Sequence, residues 1–178
     1  MRTTPEDRPE RPNITGDAPG GIPGGIPGGI PGGVPGGVPG GVPGMAEIAE
    51  FLAREFPQSK CRVLEVGAGG ATVAHEVGAA ELRPGGTVSG PVLMTVADVG
   101  LYVALLGEIG IVPLAVTTNL TINFLRKPAA DKRIVGVCRL IKVGKVQAVG
   151  EVHLYSEGAP EVVAHAVGTY SIPKMRGT

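Results

Sequence analysis

The chain has 178 residues, enough for one domain with a real core, and its 16 basic and 16 acidic side chains balance to a formal net charge of zero. No block of like charge is present, so neither a nucleic acid nor a membrane surface is an expected partner. Cys61 and Cys138 fit no CxxC or metal-ligand spacing and the N-terminus lacks the apolar run of a secretion signal, so free thiols and a cytoplasmic localisation are expected.

Composition divides the chain near Met45. Residues 1–44 hold 14 of the 30 glycines and 10 of the 17 prolines. Within them, Pro19–Val42 repeats PGGI and then PGGV, six tetrapeptides in all. A period of four is not the glycine-every-third pattern of collagen, and the unit is too short to bury a face of its own. Paired glycines are costly to order and each proline removes a backbone donor. A disordered tail is therefore expected over 1–44, either a tether or self-association segment or an extension without consequence. Foldable sequence begins at Met45, which is also an alternative start.

Met45–Phe56 places Ile48, Phe51, Leu52 and Phe56 on one helical face, and Pro57 stops the helix. Cys61–Val66 and Ala71–Val77 then flank Gly67-Ala68-Gly69-Gly70, a hairpin signal. After a Gly/Pro loop, Arg83–Pro91, a second helix is expected from Pro91 to about Leu106. It is apolar almost all round, so it must be buried on most sides, and it is too short to span a bilayer. Four strands follow. Leu114–Leu125 alternates, with Leu114, Val116, Leu120, Ile122 and Phe124 on one face and Thr117, Asn119, Thr121 and Asn123 on the other. Arg133–Val143 is rich in Val and Ile, Lys145–Tyr155 turns Val146, Ala148, Val152 and Leu154 inward, and Val162–Ile172 ends before Pro173. Tight turns at Gly144 and Glu157-Gly158 make these strands antiparallel neighbours. The expected class is α+β, a sheet wrapped around one long central apolar helix.

VLEVGAGGA, Val63–Ala71, is close to the glycine loop of Rossmann-like methyltransferases, and Leu82–Gly86 echoes a second motif of that family. The mechanism behind such a loop needs it to open a helix. Here Ala71-Thr72-Val73-Ala74 reads as strand, and no alternation of strands and long helices follows, so this reading is set aside.

The segment LRPGGTVSGPVLMTVADVGLYVALL, Leu82–Leu106, resembles the signature of the PaaI-like hotdog thioesterases. In that family G-T-[VL]-H-G-G precedes a central helix that carries an Asp or Glu. Gly86-Thr87-Val88, Gly90 and Asp98 match it, while Ser89 stands at the family's His, Pro91 at its second Gly, and Arg83 where Asn is frequent. Thr117–Ala129 and Val163–Pro173 are similar to the family's strand after the helix and to its last strand, so the resemblance covers nearly all of residues 45–173. It implies a hotdog fold over 45–178, a homodimer or dimer of dimers, and acyl-CoA hydrolysis. It implies no cofactor, coenzyme A being part of the substrate.

The residues support the same pair independently. Asp98 is the one charged residue of the apolar run Pro91–Leu106, where a carboxylate is costly without a task or a partner. Gly90 lies where free amides at a helix start can polarise a carbonyl. Eight residues of helix set the two roughly 12 Å apart, so one carbonyl cannot touch both within a chain. A site built from Gly90 of one subunit and Asp98 of another follows, with Asp98 as nucleophile or general base. Ser89, Pro91, Arg83 and Thr117 are candidate substrate-binding residues, Thr117 from the polar face of its strand. His75, His153 and His165 form no ligand spacing and read as structural or surface residues. The competing functional class is a non-catalytic acyl-CoA or lipid-binding hotdog. A hotdog dehydratase would need a His beside the acid, and Arg83–Leu106 has none.

Overall fold

The computed structural model describes residues 42–173; the expected disordered tail, up to residue 41, and the last five residues lie outside them. Helix α1 (Met45–Glu55) starts where the Ile48 amide bonds the Gly44 carbonyl at 3.2 Å, and it buries Ile48, Phe51 and Leu52 as their spacing requires. The Phe56 amide closes it on Leu52, and Pro57 prevents a further turn. Strands β1 (Cys61–Gly67) and β2 (Gly70–His75) form an antiparallel hairpin. Ala68 (φ 47°) and Gly69 (φ 72°) take the left-handed conformation at its tip. The glycine loop is therefore a hairpin turn and opens no helix.

Two short strands that the sequence pattern did not announce, β3 (Leu82–Arg83) and β4 (Thr87–Val88), pair within the Gly/Pro loop. Gly85 (φ 94°) and Gly86 (φ 65°) supply the left-handed turn between them. Helix α2 then runs Gly90–Ile109, past the expected end at Leu106, because the chain leaves helical geometry only at Gly110 (φ 93°). At 20 residues and mean hydropathy 1.8 it is long and apolar enough to cross a membrane, contrary to the expectation from the shorter run. Here it is the core of the sheet, with Leu93, Val96, Val99, Leu101, Val103 and Leu106 among the side chains it buries.

The remaining strands are β5 (Val116–Phe124), β6 (Ile134–Val143), β7 (Gln147–Ser156) and β8 (Val162–Ser171). They complete a six-stranded, wholly antiparallel sheet in the order β1-β2-β6-β7-β8-β5, curved around α2. This is the expected hotdog architecture. The helix sits close to the sheet because the strand residues beneath it are small. Gly150 and Gly168 pair across β7 and β8, and a Cβ on either would stand 2.7 or 2.4 Å from a methyl of Leu101.

Two strand faces differ from the expected alternation. Leu114 and Val116 are 74% and 55% exposed, and Val146 is 54% exposed, whereas Ala148, Val152 and Leu154 are buried as expected. Leu114 and Val146 precede the strands proper, so the pleat does not govern them. Val116 is turned outward by a β-bulge between Thr117 and Asn119 in the β5–β8 ladder.

Candidate active site

Asp98 projects from the middle of α2, in line with Met94 and Tyr102 one turn to either side. Met94 is 40% exposed and Asp98 and Tyr102 are half-buried, so this stripe is the part of the helix the sheet leaves open. Asp98 Oδ1 accepts two hydrogen bonds, from Thr117 Oγ1 at 2.5 Å and from Tyr170 Oη at 2.8 Å. The Tyr170 hydroxyl also lies 3.1 Å from the main-chain carbonyl oxygen of Asp98. Among the described residues, Asp98 Oδ2 accepts no hydrogen bond.

The bulge explains how Thr117 arrives there. Side chains alternate faces along a strand, so regular pleating would set Thr117 opposite Leu120, on the outer surface. The extra residue, Thr118, shifts the ladder, and Thr117 pairs with Tyr170 on the inner face. The expectation that Thr117 shares a face with Asn119, Thr121 and Asn123 is thus corrected, while its place beside Asp98 is observed. Tyr170 was not anticipated. It shares the inner face of β8 with Ala164, Ala166 and Gly168, and a lone polar residue in that small-residue row was its available signal.

Aromatic packing fixes the pair. The Tyr170 ring stacks on Tyr102 at 5.9 Å with an interplanar angle of 12°, and Phe51 of α1 lies tilted against Tyr102 at 6.4 Å. Burial pushes the Tyr170 phenol far above its ordinary range, and the neighbouring Asp98 charge adds to the shift. Tyr170 therefore remains protonated and acts as a donor. Asp98, Thr117, Tyr170, Tyr102, Phe51 and Pro113 line a cleft of about 380 Å³.

The other candidates lie at the start of α2. Ser89 is the N-cap in extended conformation (φ −71°, ψ 148°), its hydroxyl capping nothing, and Pro91 sits exposed in the first turn. The Val92 amide bonds the Ser89 carbonyl at 3.2 Å, whereas the Gly90 amide has no backbone acceptor among the described residues. The ring of Phe124 would stand 3.3 Å from a Cβ at Gly90. Arg83 is exposed in β3, opposite Thr87. The fold thus gathers Asp98 with Thr117, and Ser89 with Gly90 and Pro91, and leaves the two groups two turns apart on one helix.

Among the described residues no group of three His, Cys, Asp or Glu side chains could hold a metal ion. His153 and His165 face each other on β7 and β8 at 4.7 Å, and both cysteines are free thiols.

The thioesterase superfamily model matches residues 85–163, a span that contains Gly90, Asp98 and Thr117 but not Tyr170. A crystallised thioesterase candidate from a Silicibacter species is 39% identical, covers 73% of this chain and 92% of its own, and superposes with a TM-score of 0.68. The chain belongs to the thioesterase superfamily. A single-substitution mutant of the phenylacetic acid degradation protein PaaI from Thermus thermophilus is 26% identical over 70% of this chain and 99% of its own, with a TM-score of 0.58. The zebra fish thioesterase superfamily member 2, 17% identical with a TM-score of 0.65 over 73% of this chain and 99% of its own, shares the fold. No curated protein matches. Membership of the superfamily supports thioester hydrolysis as the general chemistry of this site.

Proposed function

We propose that this thioesterase is of the PaaI-like type and hydrolyses an acyl-CoA to the free acid and coenzyme A, with Asp98 as the reacting carboxylate. The observation that carries the reading is the asymmetry of Asp98: two hydroxyls hold Oδ1, and Oδ2 is left for the cleft. Donors fixed on one oxygen orient the carboxylate and support its charge. Oδ2 then either attacks the thioester carbonyl, giving an anhydride that water opens, or takes a proton from an attacking water. Heavy-oxygen label in Asp98 after a single turnover in labelled water would identify an anhydride opened at the aspartyl carbonyl. Hydroxylamine trapping of acyl-Asp98 would identify one opened at the acyl carbon; general-base attack gives neither.

The carbonyl oxygen needs a donor that the same chain cannot bring to Asp98. Among the described residues strand β5 is an unpaired sheet edge; it bears exposed Val116 and Phe124, with exposed Leu125 just beyond, a surface suited to a second copy of the chain. One end of β5 touches Asp98 through Thr117, and the other covers Gly90 through Phe124. Antiparallel pairing of β5 with its copy sets one end against the other, so Asp98 of one subunit meets the Gly90 amide of the second. Two such sites form per dimer. Ser89 and Pro91 would flank the carbonyl, with Arg83 exposed nearby for the coenzyme. Asp98→Asn is expected to abolish catalytic turnover of acyl-CoA, beyond any single equivalent of thiol, while keeping fold and oligomer. Turnover within a few-fold of wild type would falsify the assignment and favour a binding protein without catalysis.

A further inference from the structure

We propose that Cys61, His75 and Glu81 form a second, nucleophilic site, separated from the Asp98 cleft by α1, at which Cys61 is acylated by an acyl thioester. Cys61 and His75 are direct cross-strand partners in the β1–β2 hairpin, so their side chains share a face. Cys61 Sγ lies 3.7 Å from His75 Nδ1. His75 is 5% exposed, and its buried Nε2 has no hydrogen-bond partner among the described residues, lying 3.8 Å from Glu81 Oε1. Glu81 is itself buried, anchored by the Gly78 amide at 2.8 Å and by Lys60 Nζ at 3.2 Å, which hold its carboxyl below the usual range. A thiol beside one ring nitrogen, with a fixed carboxylate behind the other, is the arrangement that activates a nucleophile.

Cys61 opens on a cleft of about 580 Å³, larger than the one at Asp98 and of the size that holds small ligands. Its walls are apolar, from Leu52, Ala53 and Phe56 of α1 and Val63 of β1, while Lys60 and Arg62 stand at its rim. Glu76, the rim's acidic residue, faces Arg133 at 3.7 Å. Apolar walls suit an acyl chain, and the two cations suit an anionic thiol carrier. The chemistry balances without an oxidant. Sγ bonds to the thioester carbon as its proton passes to His75 Nδ1. The tetrahedral adduct then breaks its bond to the leaving thiol, which takes that proton from His75, so one thioester replaces another.

Burial pushes the Cys61 thiol up to about 12, so the resting group is a thiol and depends on His75 to react. This gives a sharp test. An unassisted thiol so perturbed holds roughly a thousandfold less thiolate at neutral pH than the same cysteine in the unfolded chain and reacts more slowly than it. The full chain, as wild type and as Asp98→Asn, is incubated with octanoyl-CoA and followed by intact mass and peptide mapping. Octanoyl is expected on Cys61, releasable by hydroxylamine and absent from Cys138, which is fully buried. It should form faster in the native chain than in urea. His75→Gln is expected to slow it about a hundredfold or more. No adduct, or a native rate below the unfolded rate, overturns the proposal; so does a folded His75→Gln variant that labels at the wild-type rate. If that variant does not fold, the comparison of native with unfolded chain decides. The superfamily's thioester chemistry underlies this inference, and the role of Asp98 does not. An acylated Cys61 in an Asp98→Asn chain that still turns over would remove the Asp98 assignment alone.

Discussion

Replacing Tyr170 with Phe removes one hydroxyl and leaves the ring stacked on Tyr102, so it isolates what the donor does for Asp98. A hydrogen bond to a charged group contributes about 1.5–3 kcal/mol. The lower end applies here, because Thr117 still donates to the same oxygen and half-buried Asp98 admits water from the cleft. About 1.5 kcal/mol corresponds to roughly a tenfold loss of kcat, with KM little changed, since the hydroxyl contacts the carboxylate and not the acyl-CoA. Thr117→Val should cost a similar factor. The double variant should lose more than the product of the two, because Oδ1 then has no donor, and a coupling of about 0.5–3 kcal/mol is usual for residues sharing a partner. Thiol release under saturating substrate measures kcat, and thermal melting checks that the fold survives. If each single variant and the double variant all stay within about twofold of wild type, the carboxylate is not held by these hydroxyls and the orientation argument fails.

Three further outcomes test the fold and assembly. Gly90→Pro and Asp98→Asn should each be inactive as homodimers, yet refolding them together should return roughly a quarter of wild-type activity, because each mixed dimer holds one intact site. No recovery in verified mixed dimers would place both groups in one chain. Gly168→Val pushes its side chain into Leu101 and should cost about 1–3 kcal/mol, read as a lower Tm that Leu101→Ala partly restores; an unchanged Tm would deny the close approach of helix and sheet. Burial and then the His165 charge hold His153 below its ordinary 6.5, so the folded chain takes up fewer protons than the unfolded chain on acidification. The stability present above pH 6.5 is therefore lost as pH falls from there through the folded value, and Glu151, held low by Arg139, extends the loss on the acid side. His153→Gln should flatten the fall of Tm just below neutrality, and an identical profile would refute this origin.

Helix α1 and the β1–β2 hairpin were legible because each rests on local chemistry: an apolar period of one turn, a terminating proline and a glycine pair in the turn. Long-range contacts were less accessible. Tyr170 meets Asp98 across 72 residues, and no local pattern specifies that partnership. Thr117 was on the wrong face because a one-residue bulge reverses the pleat without changing composition. Helix α2 continues past the expected end at Leu106 through Gly107, whose missing side chain makes room for Val66, a methyl of which a Cβ would approach to 2.3 Å. The Cys61–His75 contact was hidden in the same way as the face of Thr117: counting back from Gly67 and Gly70 sets Cys61 opposite Glu76, and the bulge between Val63 and Glu65 shifts it to His75.

The departures from the PaaI-like signature all fall at one end of α2. Ser89 and Pro91, which flank Gly90 at the helix start, and Arg83, in the preceding β3, stand where that family has other residues. The carboxylate end is intact and supported from two further strands, by Thr117 of β5 and Tyr170 of β8. Because the helix separates the ends by two turns, a change at one does not disturb the hydrogen bonds at the other. Pro91 has no amide proton and the Val92 amide is already bonded to Ser89, so Gly90 is the first-turn donor still free to meet a carbonyl. Under the proposed mechanism a thioester bound there would depend on that one amide and on the helix dipole, and its acyl group would meet Ser89 and Pro91 instead of the imidazole and glycine of the signature it resembles. The proposed difference is therefore one of how the carbonyl and acyl group are held, with the acid left in place.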